Sequence, residues 1–136
     1  MPAAKAFVDT NIFVYIYSGD EQDKRRQALS QIGRFDRVVS TQVLNEFCNV
    51  CIRKLRMELS SIGAAVEKIC RTNELFVISG DTVKQALFIH DKYEYSYYDS
   101  LIIASALESG CEYLLSEDMA DGQVIEGSLT IRNVFP

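Results

Sequence analysis

Short apolar runs alternate along this chain with longer stretches whose apolar residues recur at helical spacing. The first run, Ala6-Phe7-Val8 preceded by Lys5, reads as a short buried strand that ends on Asp9-Thr10-Asn11. Residues 12–17 are continuously apolar and predict a buried helical turn behind that strand. Ser18-Gly19-Asp20 breaks the run, and Asp20 is placed to cap a polar helix over about 21–32, with Ala28, Leu29 and Ile32 facing inward. Val38-Val39-Ser40 reads as a second strand, with Thr41 as the N-cap of a helix over about 42–57. In that helix Val43, Leu44, Phe47, Cys48, Cys51 and Leu55 form the apolar stripe, and Glu46, Asn49, Arg53 and Arg56 form a polar row.

A further helix begins at Ser60 or Ser61 and ends near Thr72, and a third strand is expected over 76–78. Ser79-Gly80-Asp81 turns the chain into a helix over about 82–93. A polar-aromatic loop is expected over 94–98, then a helix over 99–109 stopped by Gly110. That helix is apolar almost all round and should be central. A fourth strand is expected over 113–116, a loop over 117–122 and a last strand over 129–134. Strands that alternate with helices predict a three-layer α/β/α fold with a mostly parallel central sheet of about five strands. The length suits a single domain over residues 1–136, which buries roughly 68% of the unfolded chain's surface without disulfides or a structural metal.

Charge changes this picture only slightly. There are 14 basic and 19 acidic residues, a net charge of −5, which by itself argues against a nucleic-acid partner. The basic residues are bunched, however, at Lys24-Arg25-Arg26, Arg34 with Arg37, and Arg53-Lys54 with Arg56, and bound divalent cations would offset clustered acids. Cys48-x-x-Cys51 has the spacing of half a zinc site, but no second cysteine pair follows and His90 is the only histidine. All four cysteines are expected to be buried, reduced thiols. No secretory signal and no apolar run near the ~18 residues of a membrane span is visible, so a soluble cytoplasmic protein without a membrane partner is expected. The tyrosines and apolar residues of 12–17 and 93–98 exceed what a small surface usually carries, which predicts self-association and a protein partner.

The candidate chemistry lies in the acids. In an open α/β sheet, ligands sit beyond the carboxyl ends of the strands, where helices also begin. Asp9 ends the first strand, Ser116-Glu117-Asp118 ends the fourth, and Asp99 opens the helix before it, so these fall on one edge. Glu46 reaches that edge if its helix leans over it. Each acid also has a structural reading: Asp9 as a helix cap, Ser96-x-x-Asp99 as a capping pair, Glu46 as a surface glutamate and Asp118 as a turn residue. Together, converging carboxylates repel unless a cation sits among them, and hard ions such as Mg2+ or Mn2+ prefer such oxygen ligands. Two such ions activate water for phosphodiester cleavage without a His or Cys nucleophile.

The motifs Phe7-Val8-Asp9-Thr10-Asn11, Asn45-Glu46, Tyr97-Tyr98-Asp99-Ser100-Leu101-Ile102-Ile103-Ala104-Ser105-Ala106 and Leu114-Leu115-Ser116-Glu117-Asp118 resemble, in order, those of the PIN-domain nucleases. The resemblance spans essentially the whole chain and is nearest to the VapC-type toxin ribonucleases of bacterial toxin–antitoxin pairs. It implies Mg2+- or Mn2+-dependent cleavage of RNA, a cognate antitoxin and a homodimer. By motif, Asp9, Glu46, Asp99 and Asp118 would be metal-binding acids, Thr10 and Ser116 polar helpers, and Asn11 a further member of the first motif. Glu117 and Asp121 compete with Asp118 for the last position; Asp118 is preferred because the strand backbone still holds it. The alternative is a PIN-like module that only binds RNA or protein. An aspartyl phosphatase would want an acid at position 11, which is Asn, and a receiver domain would want paired acids near the first strand.

Overall fold

The computed structural model describes residues 2–135 and arranges them around one sheet. In chain order the elements are β1 (Lys5–Val8), α1 (Thr10–Ser18), α2 (Gln22–Ile32), β2 (Asp36–Ser40), α3 (Thr41–Arg53), α4 (Leu59–Thr72), β3 (Glu74–Phe76), α5 (Gly80–Tyr93), α6 (Tyr97–Glu108), β4 (Tyr113–Leu115), β5 (Val124–Ile125) and β6 (Leu129–Arg132). The sheet order is β3-β2-β1-β4-β6-β5, parallel throughout except for β5, which runs antiparallel to β6. The two central strands, β1 and β4, are apolar on both faces, as expected for strands covered by helices on either side. Phe7, Leu114, Leu115, Ile131 and the helical Ile12, Phe47, Ile69, Ile102 and Ile103 are fully buried in one cluster. Each such side chain contributes roughly 1.5–3 kcal/mol of transfer free energy. On α6, every residue from Ser100 to Ala106 is buried, which makes this helix central.

The differences from the sequence reading have local causes. The sixth strand, β5, has only two residues, too few for alternation to register. A tight turn joins it to β6, with Glu126 and Gly127 both left-handed (φ 51° and 70°) and the Ser128 N–H donating to the Ile125 carbonyl. Strand β3 lies two residues earlier than expected, because its ladder with β2 ends where β2 ends, at Ser40 opposite Phe76. Ser40, not Thr41, caps α3: the strand passes into the helix without a linker, and the buried Ser40 Oγ accepts from the Val43 N–H at 3.3 Å. Glu21 occupies the N-cap of α2 and makes no side-chain bond there, so Asp20 is not its cap. Helix α3 stops at Arg53, and the chain turns through a left-handed Arg56 (φ 50°), so the polar row of α3 ends before Arg56. Helix α6 begins two residues before Asp99, with Ser96 as its cap.

The cysteines are free, but only Cys51 and Cys111 are buried; Cys48 is half-buried, and Cys70 is exposed because it lies off the Ile62, Ala65 and Ile69 stripe of α4. Much of the aromatic surplus is used internally. Ile12 and Phe13 are core, Tyr93 Oη donates to Glu126, and Tyr95 Oη donates to Gln123, whereas Tyr98 remains 65% exposed. Among the described residues, no helix is long and apolar enough to cross a membrane.

Removing the Ser40 hydroxyl would leave the Val43 N–H without its acceptor at a buried helix start. Ser40→Ala should therefore cost about 1 kcal/mol, a fall of roughly 3–5 °C in Tm. Unchanged thermal unfolding would show that the cap contributes nothing.

Candidate functional site

The site starts from the pairing of β1 with β4. Val8 lies opposite Leu115, and the Asp9 N–H continues the ladder by donating to the Leu115 carbonyl at 3.0 Å. The next residues, Asp9 and Ser116, are therefore side by side where both strands end. The Ser116 hydroxyl donates to Asp9 Oδ2 at 2.9 Å, while Asp9 Oδ1 accepts from the Thr10 N–H at 2.7 Å and caps α1. Asp9 is thus a helix cap and a site carboxylate at once.

The first turn of α1 supplies two further contacts. Thr10 is buried, and its hydroxyl donates to Glu46 Oε1 at 2.6 Å, drawing the second turn of α3 over the sheet edge. Asn11 Nδ2 donates to Asp118 Oδ2 at 2.9 Å, which fixes the loop after β4. From the other side, Asp99 occupies the third position of α6, where its N–H donates to the Ser96 hydroxyl at 3.2 Å. Asp9, Glu46, Asp99 and Asp118 line one open cleft of about 310 Å³ together with Thr10, Asn11, Asn49, Val50 and Ile102.

Burial, with a smaller addition from mutual repulsion, governs the ionisation of these groups. Burial pushes the Asp9 carboxyl up to about 6; the Thr10 N–H and Ser116 hydroxyl oppose this, and the charges of Glu46 and Asp99 add to it. Asp99 is also raised, chiefly by burial, against the Ser96 hydroxyl and with the charges of Glu46 and Asp118 adding to the rise. Among the described residues, no three acids close into a ready-made cage for an ion.

The other acids of the last loop lie elsewhere. Glu117 points away from the cleft: Oε1 accepts from Tyr15 Oη and Oε2 from Lys24 Nζ, each at 2.6 Å. Burial raises its pKa, but these two partners together hold it below the usual value. Asp121 Oδ1 accepts from the Asn133 N–H at 2.8 Å, a bond between the loop and the chain after β6. Of the three, Asp118 faces the cleft.

A family model for the PIN domain matches residues 6–120. The chain belongs to the PIN-domain family. Solved structures share this PIN fold at low sequence identity. A toxin–antitoxin complex from Klebsiella pneumoniae matches with a TM-score of 0.73 and 20% identity, covering 96% of this chain and 98% of that one. VapBC2 from Rickettsia felis, bound to a DNA fragment from its promoter, matches with a TM-score of 0.69 and 16% identity, over 95% and 98%. VapC20 of Mycobacterium tuberculosis, a toxin that cleaves the sarcin-ricin loop, matches with a TM-score of 0.63 and 23% identity, over 80% and 86%. No curated protein matches the chain.

Two residues around the acids of this PIN domain escaped the sequence reading. Asn49, which was read only as part of a polar row, lines the cleft one turn beyond Glu46. Gln42, one turn before Glu46, is buried; its Nε2 donates to Glu46 Oε2 at 3.2 Å and to the Tyr98 carbonyl at 3.1 Å. It ties α3 to the start of α6, and so Glu46 to the backbone that carries Asp99. The i, i+4 spacing of Gln42 and Glu46 was the available signal.

The raised pKa of Asp9 fixes the sign of a pH effect. A carboxyl that ionises at about 6 when folded and about 3.8 when unfolded binds its proton more tightly in the native state. It contributes stability below the unfolded value, and that contribution is lost as pH rises through about 6. In metal-free buffer the protein should therefore lose stability as pH rises from about 4 to about 6 and level off above that. Asp9→Asn, which keeps the cap acceptor, should flatten that slope and gain on the order of 2 kcal/mol at pH 7. Thermal unfolding of both proteins in chelator checks this; a parallel slope in the variant would show that Asp9 is not the strained group.

Proposed function

We propose that the chain is a Mg2+- or Mn2+-dependent endoribonuclease and the toxin of a toxin–antitoxin pair. The observation that carries this reading is the convergence of Asp9, Glu46, Asp99 and Asp118 on one cleft from four separate parts of the fold. In this reading these four carboxylates hold the metal. The donors fit: all are oxygens, and Mg2+ keeps several waters and takes only one or two carboxylates directly, so the remaining acids would act through bound water or a second ion and no closed cage is required. Once bound, such an ion supplies a water of lowered pKa and neutralises charge on the departing oxygen of a phosphodiester.

The chain's own residues then hold the ligands in place. Ser116 and the Thr10 N–H fix both oxygens of Asp9, and the Thr10 hydroxyl together with Gln42 fixes both oxygens of Glu46. Asn11 steadies Asp118, the ligand with the least backbone support. Two-point support of this kind is what a metal ligand needs to keep its geometry. No His or Cys lines the cleft among the described residues, so the attacking group in this reading is water.

Similarity to a sarcin-ricin loop cleaving toxin supports RNA as the substrate, and similarity to toxin–antitoxin complexes supports an antitoxin partner. A homodimer is part of the proposal. Val83 and Leu87, one turn apart on α5, are 37% and 56% exposed and leave an apolar stripe uncovered.

Cleavage of a panel of structured and single-stranded RNAs with Mn2+, Mg2+ or chelator tests the reading. Cleavage should require the divalent ion, and Asp9→Asn and Asp99→Asn should each reduce it by more than about 100-fold. Among the last three acids, Asp118→Asn should cost the most activity and Glu117→Gln the least, with Asp121→Asn between them. Activity that survives excess chelator would overturn the metal mechanism. RNA binding without cleavage at any ion concentration would favour an inactive module.

A further inference from the structure

A second cavity, of about 450 Å³, adjoins the acid cleft and shares Glu46 as a wall. Its other walls are Thr41, Gln42 and Asn45 of α3, Ile78, and Tyr98 and Leu101 of α6. The volume falls within the roughly 300–1,000 Å³ of small-ligand pockets. Its position matters first: whatever fills it lies one side chain away from the carboxylates.

The chemistry of the walls narrows the occupant. Tyr98 is 65% exposed, yet its ring is braced edge-on by Tyr97, with centroids 5.4 Å apart and planes at 71°. A held, uncovered aromatic face is a stacking platform, and the aliphatic Ile78 and Leu101 complete an apolar slot beside it. Two carboxamides supply polar recognition. Gln42 Oε1 is buried in the cavity wall without a hydrogen-bond partner, and among the described residues the Asn45 amide makes no hydrogen bond. An orphaned buried acceptor is costly and favours a ligand that can donate to it. No Lys or Arg lines the cavity, and Glu46 stands at its edge, so a phosphate or other anion is disfavoured there. A flat, uncharged ring with donors and acceptors on its edge fits all of these features.

We propose that this cavity is a nucleobase subsite: it takes the base next to the scissile phosphate, stacks it on Tyr98 and reads its edge through Asn45 and Gln42. The inference rests on the nuclease reading above and gives it a substrate class. A base enters such a slot only when it is unstacked, so the substrate is single-stranded or looped RNA rather than continuous duplex.

The test uses the full chain in two assays. Steady-state cleavage with Mn2+ compares a single-stranded RNA with the same sequence held in a duplex. Separately, a single-stranded RNA carrying 2-aminopurine is titrated into Asp9→Asn protein, where stacking quenches the fluorophore without turnover. Tyr98→Ala should weaken binding about tenfold and raise KM with a smaller effect on kcat. Tyr98→Phe, which keeps the ring, should restore the affinity. Asn45→Ala should change the preferred base at one position beside the cut. The subsite is overturned if Tyr98→Ala changes neither affinity nor cleavage pattern, or if Tyr98→Phe is as weak as Tyr98→Ala. It is equally overturned if the loss follows the dissociation of a dimer in sedimentation, since the cavity would then be an interface between copies. If the unaltered protein cleaves no RNA, the nuclease reading fails, and the fluorescence titration still decides the subsite.

Discussion

The parallel register of β1 on β4 is the constraint from which the rest of the site follows. With Val8 opposite Leu115, Asp9 and Ser116 leave the sheet side by side and bond to each other. Asp9 then starts α1, whose first turn reaches Glu46 through Thr10 and Asp118 through Asn11. A slip of one residue in either strand would send Asp9 to the opposite face of the sheet and break all three links together. Two strand-end residues and one helical turn thus gather groups that are 36 and 107 positions apart in the chain.

The gathering is electrostatically unfavourable in the absence of a cation. Burial and the neighbouring carboxylates raise Asp9 and Asp99, and the surrounding hydrogen bonds only partly offset this. The core beneath, with Phe7, Ile12, Leu114 and Leu115 fully buried, supplies the stability against which the site's strain is held. Glu117 is kept out of the cluster by Tyr15 and by Lys24, whose Nζ also lies 4.4 Å from the Tyr15 ring centroid. Glu117 is thus paired on the Tyr15 and Lys24 side, while Asp118 beside it in sequence lines the cleft. The arrangement therefore limits negative charge at the cleft to the residues that line it.

Much of this was legible in the sequence. The strand–Asp pattern at Asp9, the all-apolar α6 after Asp99 and the Ser116–Asp118 strand end each carry a strong periodic or positional signal, and the alternation of elements gave the parallel sheet. What was not legible has physical reasons. A two-residue strand such as β5 has no period, and its pairing is set by the Glu126–Gly127 turn rather than by its own residues. The cap of α3 was misread by one residue because Ser40 serves β2 and α3 simultaneously. Tyr97 and Tyr98 read as loop because their neighbours are polar, yet Ser96 caps the helix ahead of them. Gln42 went unnoticed because an amide on a helix has many uses; only tertiary contact shows it joining Glu46 to the Tyr98 carbonyl. Cys70 was taken as buried from residue type alone, and helix phase overruled that.

If the fold holds these carboxylates together for a cation, binding that cation must stabilise the native state. Thermal unfolding as Mn2+ is titrated into the metal-free protein measures this directly. Tm should keep rising with the logarithm of the Mn2+ concentration above Kd, reaching about 2.7 kcal/mol of added stability at a hundredfold excess over Kd, and the rise should vanish in Asp9→Asn. A Tm indifferent to Mn2+, or an equal rise in Asp9→Asn, would contradict the carboxylate site.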